Sequence, residues 1–149
     1  MSTRCIIGKV NYDGTITAIY CHNDGNPTSK IPVLTEHYST PEKLDALLAL
    51  GNLSILGKEL GFKHSFDVRF SSTEEMNKMK GYCCFYGRDR GDYEKASIVK
   101  EKKLPAFAEN YDAEYVYLFN GAEWFAYTVK GKKLVEIKME EKVEETVKT

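Results

Sequence analysis

The sequence of 149 residues has no apolar run long enough to cross a membrane and no surplus of one charge. A transmembrane helix needs about 20 consecutive apolar residues, and the opening Met1–Lys9 has too short an apolar stretch for a signal peptide. A net charge of −1 does not favour binding to polyanions. We therefore expect a cytoplasmic protein with no membrane partner, for which nucleic acid is an unfavoured partner.

Motifs of the common catalytic and cofactor-binding classes are also missing. The sequence contains no GxxxxGK[ST], GxGxxG, GxSxG or HExxH pattern, so nucleotide hydrolysis, dinucleotide redox chemistry and serine hydrolysis lack their usual support. The four cysteines form no CxxC pair, and the three histidines lack the paired spacing of a structural zinc site. We expect reduced thiols, no metal and no cofactor.

Two β-branched runs near the start of the chain predict a hairpin. They flank Asp-Gly at 13–14, a strong signal for a two-residue turn. This register would place Ile6 opposite Cys21, and Cys5 opposite His22. Directly opposed side chains lie about 4.5–5.5 Å apart at Cβ, close enough for a thiol–imidazole dyad of Cys5 and His22. A structural role for Cys5, as a small buried side chain, is the favoured alternative.

The last third of the chain has the clearest pattern. Residues 113–139 alternate as a three-stranded meander, with two-residue turns at Asn120-Gly121 and Lys130-Gly131. One face of this meander mixes apolar and charged side chains, which is typical of a surface for self-association or for a partner protein. The face that we expect to be buried collects Tyr115, Tyr117, Phe119, Ala122, Trp124, Ala126, Val135, Ile137 and Met139.

Helix signals fill the middle of the chain, with a capping hydroxyl and a proline at Thr40-Pro41 as the strongest. The fold class is therefore α+β: an antiparallel sheet, made of the N-terminal hairpin and the C-terminal meander, covered by short helices. Residues 1–139 form a single domain and residues 140–149 a charged tail. Helical spacing predicts helices or helical turns near 28–38, 41–50, 53–60, 71–80 and 104–110, and alternation predicts extended segments at 66–70 and 82–86.

Two polar loops, at 21–27 and 87–92, together with Tyr86 before the second loop, are the candidate site. Arginines beside aromatic residues can hold a phosphate or carboxylate and stack on a base, and two such loops at one sheet end would form a pocket. We expect Arg88 and Arg90 to point to the same side while Asp89 turns back; in the alternative, these charges only pair with one another. The candidate ligand-binding residues are His22, Asn23, Asp24, Tyr86, Arg88, Asp89 and Arg90.

Four strings stand out: YCHNDGNP at 20–27, LTEHY at 34–38, LGNLS at 50–54 and YGRDRG at 86–91. In these strings the chain resembles a family of small, largely uncharacterised phage and prophage proteins over residues 1–125. The family pattern YCHxDGxP often has aromatic residues where this chain has Asn23 and Asn26. The resemblance implies a phage setting in the host-cell cytoplasm, and small phage accessory proteins often counter bacterial defence.

These observations favour a non-enzymatic binder over an enzyme. It would be a phage-type accessory protein that counters host defence by sequestering an anionic nucleotide-like signal or by masking a host defence protein. The first alternative is a small enzyme acting on a nucleotide or phosphodiester, through His22 and Asp24 with Arg88 or Arg90. A weaker alternative is a nucleic-acid-binding regulator that uses the lysines within 130–138. The expected partners are thus an anionic small molecule or a host defence protein, with a homo-oligomer also expected.

Overall fold

Eight strands form one mixed sheet with helices on both of its faces. The computed structural model describes residues 3–61, 82–92 and 94–137. The predicted strand at 66–70, helix at 71–80 and tail at 140–149 lie outside these residues. In chain order the elements are β1 (Cys5–Val10), β2 (Thr15–Cys21), α1 (Pro27–His37), α2 (Pro41–Ala49), β3 (Leu53–Ile55), β4 (Cys84–Phe85), α3 (Tyr86–Arg90), β5 (Ser97–Lys100), a 3₁₀ turn (Glu101–Lys103), α4 (Leu104–Asn110), β6 (Tyr115–Phe119), β7 (Trp124–Lys130) and β8 (Lys133–Ile137).

The strand order is β4-β3-β2-β1-β6-β7-β8, and β5 pairs with the first half of β2. The predicted α+β class is confirmed, but the sheet is not purely antiparallel, because β1–β6 and β2–β3 are parallel pairs. Parallel neighbours need a long crossover, and the helical middle of the chain supplies it between β1 and β6. The crossover returns the chain to the end of the sheet where β1 begins.

The first hairpin has a different register from the predicted one. Asn11 donates its N–H to the Thr15 carbonyl (2.7 Å) and accepts from the Gly14 N–H (3.0 Å), so the loop has three residues rather than two. Gly14 has φ of +88°, the left-handed residue that closes this type of loop. Cys5 therefore lies opposite Cys21. This one-residue slip moves every side chain of one strand to the opposite face relative to its partner strand, so Cys5 and Cys21 share a face.

The meander is confirmed as three antiparallel strands, with turns that differ from the predicted ones. The first turn is Gly121-Ala122, because the Asn120 N–H donates to the Glu123 carbonyl (3.1 Å). The Asn120 side chain also accepts from the N–H groups of Ala122 (2.9 Å) and Glu123 (2.8 Å). The second turn is Gly131-Lys132, with φ of +61° at its glycine. Both strand pairs shift by two residues relative to the prediction. A shift of two keeps each side chain on its predicted face.

Both faces of the sheet are buried, each by different helices. On the face covered by α4, Tyr127 and Leu134 pack against the core. Intramolecular packing therefore explains apolar residues on this face that the sequence pattern assigned to a partner surface. Under α1 and α2 the core includes Ile7, Ile19, Leu34, Leu44, Leu47, Leu53, Phe85, Tyr117, Phe119 and Trp124. Under α4 it includes Ile6, Ile16, Ala18, Tyr20, Val99, Leu104, Ala108, Val116 and Leu118.

The helix predictions are confirmed for α1, α2 and α4. Thr40 accepts from the Lys43 N–H and Pro41 begins α2, as its capping sequence predicts. The predicted helical turns at 53–60 are wrong, because Leu53 pairs with β2 on one side and β4 on the other. None of the helices in the described residues is long and apolar enough to cross a membrane.

Substitution of Trp124 tests this packing. Its ring contacts Phe119 (5.3 Å between centroids), and its indole N–H donates to the Tyr38 carbonyl (3.2 Å). We expect Trp124→Ala to lower the free energy of unfolding by about 3–5 kcal/mol, because it leaves a large cavity between sheet and helices. Denaturant titration measures this change.

The matched control is Tyr12→Ala, which removes a fully exposed ring at the tip of the first hairpin. It should leave the free energy of unfolding within about 0.5 kcal/mol of the parent. Equal effects of the two substitutions would show that the assigned core is wrong.

Candidate functional site

Three tyrosine side chains gather where β2 ends. The Tyr20 ring stacks on Tyr111, with 4.7 Å between centroids and 20° between planes. Tyr86 belongs to the same buried cluster, and the Arg90 guanidinium lies 4.5 Å from the centroid of its ring. Tyr86 also hydrogen-bonds the Ser54 side chain. We define the tyrosine patch as Tyr20, Tyr86 and Tyr111 together with His22, Ser54 and Arg90.

Asn52 positions two of these tyrosines. It is 4% exposed, and it lies where β2 changes partner from β5 to β3. Its side-chain oxygen accepts from the Tyr20 N–H (2.8 Å), and its backbone carbonyl accepts from the Tyr86 N–H (3.2 Å). Its side-chain and backbone N–H groups both donate to Glu94, at 3.1 and 2.8 Å. Asn52 therefore supplies the hydrogen bonds that are missing where β2 changes its partner strand. It links β2, the start of α3 and the segment at Glu94.

His22 lies at the edge of the patch, half-buried beside Tyr20. Its Nδ1 is 2.5 Å from the Tyr20 hydroxyl, and its backbone N–H donates to the Leu53 carbonyl (3.1 Å). Burial raises the pKa of Tyr20 to about 12, so the phenol stays protonated at neutral pH. The phenol can then donate to Nδ1, which leaves the ring proton on Nε2 as a donor for a ligand.

The loop after His22 is shaped by packing as well as by polar contacts. Asn23 donates its side-chain N–H groups to the carbonyl (3.0 Å) and hydroxyl (2.9 Å) of Ser54. Asp24 is exposed, with φ of +53°. Gly25 packs so tightly that an added Cβ would lie 2.8 Å from the Thr3 carbonyl oxygen. Gly25 is therefore required by the packing of this loop, whatever the loop binds.

The segment Tyr86–Arg90 is a short helix, α3, rather than the predicted loop. Gly91 ends it with φ of +86°, the left-handed conformation common after helices. Residues two apart on an α-helix diverge by about 200°. The expectation that Arg88 and Arg90 point to the same side is therefore wrong.

Arg88 and Asp89 stabilise the fold from the inside of α3. The Asp89 carboxylate is fully buried and accepts from the Phe85 N–H (2.8 Å) and from Arg88 Nε (2.9 Å). The Arg88 side chain, 13% exposed, also donates to the carbonyls of Leu60 (2.8 Å) and Cys83 (3.0 Å). These contacts fix the strand end from which α3 begins.

Arg90 differs from Arg88 because its side chain is 42% exposed, where it pairs with Asp92 and covers Tyr86. The two predicted loops do adjoin the same strand: the Tyr86 N–H binds the Asn52 carbonyl and the His22 N–H binds the next one along, at Leu53. The structure thus brings together His22, Asn23, Tyr86 and Arg90. Arg88 and Asp89 lie inside the fold, and Asp24 is exposed on its surface. As ligand contacts, all seven residues remain a prediction.

Sequence reasoning missed Tyr20, Asn52, Ser54 and Tyr111 as members or supports of this site. The first three lie within the strings YCHNDGNP and LGNLS, which were the available signal. Tyr111 follows α4 and has no pattern around it that indicates a site.

The dyad of Cys5 and His22, the less favoured alternative, finds no support, because the hairpin register places Cys5 opposite Cys21. Across the described ranges, no group of three metal-ligating side chains could hold an ion. Lys130, Lys132 and Lys133 are exposed at the second meander turn, and Lys138 lies outside the described residues. A groove of about 380 Å³ lies elsewhere, lined by Thr17, Asp45, Leu48, Ala49, Lys95 and Ala96.

No protein-family model, curated protein or solved structure matches the chain. The resemblance to phage proteins therefore stays a prediction, and the functional argument rests on the geometry of the tyrosine patch.

Asn52→Leu tests the support of the patch. The substitution keeps the volume but leaves the Tyr20 N–H without its acceptor, and a buried polar group left unpaired costs about 1–3 kcal/mol. We expect that loss in denaturant unfolding, together with faster hydrogen exchange at the Tyr20 amide.

Asn110→Leu, at the exposed end of α4, is the control and should change stability by less than about 0.5 kcal/mol. Unchanged exchange at Tyr20 in a folded Asn52→Leu variant would contradict the role given to Asn52.

Proposed function

We propose that this chain is a non-enzymatic binder of an anionic, nucleotide-like small molecule, and that the tyrosine patch holds it. In the phage setting that the resemblance implies, such a protein removes a nucleotide signal from host defence. The observation that carries the proposal is the exposed Arg90 guanidinium lying over Tyr86, in the same cluster as the Tyr20–Tyr111 stack.

Nucleotides combine a flat base with a charged phosphate, and the patch offers a partner for each. Tyr20 and Tyr86 are buried, so the half-exposed Tyr111 supplies the ring on which a base can stack. A guanidinium binds phosphate oxygens in a forked geometry, and it stays charged at every physiological pH. His22 Nε2 adds a hydrogen-bonding group beside these rings, and the buried Ser54 hydroxyl holds Asn23 and Tyr86 in place.

The engagement of the charged groups around the patch favours binding over catalysis. Burial raises the pKa of Tyr20 to about 12 and also raises that of Tyr86, which disfavours a phenolate base at either residue. Arg88, one of the two arginines in the enzyme alternative, is already engaged with Asp89 and with two backbone carbonyls. Donors and aromatic faces suit capture of an anion.

A release experiment separates a binder from an enzyme. The protein is incubated with cyclic mononucleotides, cyclic dinucleotides and ADP-ribose, washed and heated, and the released compound is identified by mass spectrometry. An unaltered nucleotide supports the proposal, and a cleaved or modified nucleotide supports the enzyme. Retention of none of these probes would contradict a nucleotide ligand and leave the masking of a host protein as the interpretation to test.

Arg90→Ala tests the patch directly. We expect affinity for the retained nucleotide, measured by calorimetry, to fall about ten- to hundredfold, because a charge-assisted hydrogen bond contributes about 1.5–3 kcal/mol. Melting temperature should hardly change, since the exposed pair with Asp92 is worth about 0–1 kcal/mol.

Lys133→Ala is the matched control, because it removes the same charge from β8 at the opposite edge of the sheet. It should leave affinity unchanged. Equal losses in the two variants would point to a general charge effect, and a loss only in Lys133→Ala would favour the lysines near the last turn.

A further inference from the structure

Strand β8 is the last strand of the sheet, and its outer edge has no partner strand among the described residues. An open edge presents unpaired backbone N–H and C=O groups, which can pair with a strand of another chain. Val135, at the centre of β8, is 46% exposed, and Leu134 and Ile137 are only half-buried. Apolar side chains at the centre of an open edge are typical of a strand that pairs with another molecule.

The turn before β8 determines which backbone groups face outward. The two residues that flank Gly131-Lys132 are paired with each other, and a two-residue turn is closed by hydrogen bonds between its flanking residues. The direction of backbone bonding then alternates along an antiparallel strand. The N–H and C=O groups of Lys133 and Val135 therefore face β7, and those of Leu134 and Glu136 face outward.

The charges along this edge run from basic to acidic. Lys132 and Lys133 are exposed at the turn, and Glu136 is exposed near the other end of the strand. None of the three forms an ion pair with another described residue. In an antiparallel pair of two identical strands, the basic end of each copy lies against the acidic end of the other. Because opposite charges that face each other stabilise a strand pair, this edge is complementary to a second copy of itself.

Three two-fold registers let the outward groups of Leu134 and Glu136 face each other, and charge distinguishes these registers. A pair centred on Glu136 would place two like carboxylates opposite each other, which is unfavourable. A pair centred on Val135 would place Glu136 opposite the partner's Leu134, with no ion pair. A pair centred on Leu134 places Glu136 opposite the partner's Lys132, and the two-fold symmetry forms this ion pair twice. Charge therefore selects the register centred on Leu134.

We propose that β8 pairs antiparallel with β8 of a second copy, centred on Leu134, and forms a two-fold dimer with one continuous sheet. Each copy uses its own β8 edge, so the assembly closes at two copies. Strands β1, β6 and β7 separate β8 from β2, which carries Tyr20 of the tyrosine patch. The dimer thus leaves both patches accessible, and dimerisation and nucleotide binding are measured independently.

Sedimentation equilibrium of the full chain tests the dimer. We expect a reversible change from one copy to two copies as the protein concentration rises through the micromolar range. Assembly should stop at two copies, because the pairing occupies both β8 edges. A monomer at every concentration up to about 1 mM, or growth beyond two copies, would overturn the proposal.

Reversal of the paired charges tests the register. Glu136→Lys places like charges opposite each other at two symmetric positions, so the dissociation constant of the dimer should rise at least about tenfold. Lys132→Glu should have the same effect. The double variant, Lys132→Glu with Glu136→Lys, restores opposite charges and should return the dissociation constant to within about threefold of the wild-type value.

Glu123→Lys is the matched control, because it makes the same charge reversal at an exposed residue beside the turn between β6 and β7. It should leave the dissociation constant unchanged. A double variant that dissociates as readily as the single variants, or an equal effect of Glu123→Lys, would contradict the proposed pairing of Lys132 with Glu136.

Introduced cysteines test the same register with a covalent readout. The four native cysteines are buried and free. Leu134→Cys places two thiols directly opposite each other, at the Cα separation of about 5.5 Å that a disulfide can span. Val135→Cys places its thiol opposite the partner's Lys133. With oxidised glutathione, we expect the first variant to form a covalent dimer on a non-reducing gel and the second to stay a single chain. The reverse result would overturn the register.

Discussion

The buried side chain of Asn52 is the contact on which the tyrosine patch depends. Strand β2 exchanges one partner strand for another at this point, and an exchange of partners leaves a backbone group without a neighbour. The amide oxygen of Asn52 accepts that N–H, from Tyr20, while its backbone carbonyl holds the first residue of α3. A buried unpaired N–H is costly, so the geometry of the gap and the position of both tyrosines are fixed together.

The two arginines of α3 differ in burial, and this difference gives them different roles in the account. Arg88 pairs with the buried Asp89 carboxylate and donates to two backbone carbonyls, so its guanidinium is engaged in stabilising the fold. Arg90 is on the other side of α3 and lies exposed on Tyr86. The inner ion pair thus fixes the helix that presents the outer cation, and the proposed binding chemistry needs both.

The sequence predicts strands and helices correctly where an apolar pattern repeats over many residues. It fails where a difference of one residue in a loop sets the register of the strands. The meander keeps its predicted faces, because its turns shift pairing by two residues. The first hairpin does not, since a three-residue loop shifts its register by one and brings Cys5 and Cys21, which were predicted on opposite faces, to the same face. The strands β3 and β4 are too short to show a period. The polar strings located most of the candidate site, but Tyr111 joins it through tertiary packing and carries no local signal.

Amide chemical-shift mapping of the full chain, titrated with the cyclic nucleotides and ADP-ribose, tests the central claim most directly. The account predicts that the shifts concentrate at Tyr20, His22, Ser54, Tyr86 and Arg90, with little change along β8. Shifts centred instead on the groove beside Asp45 and Lys95, or on the turn at 130–133, would contradict the assignment of the tyrosine patch as the binding site.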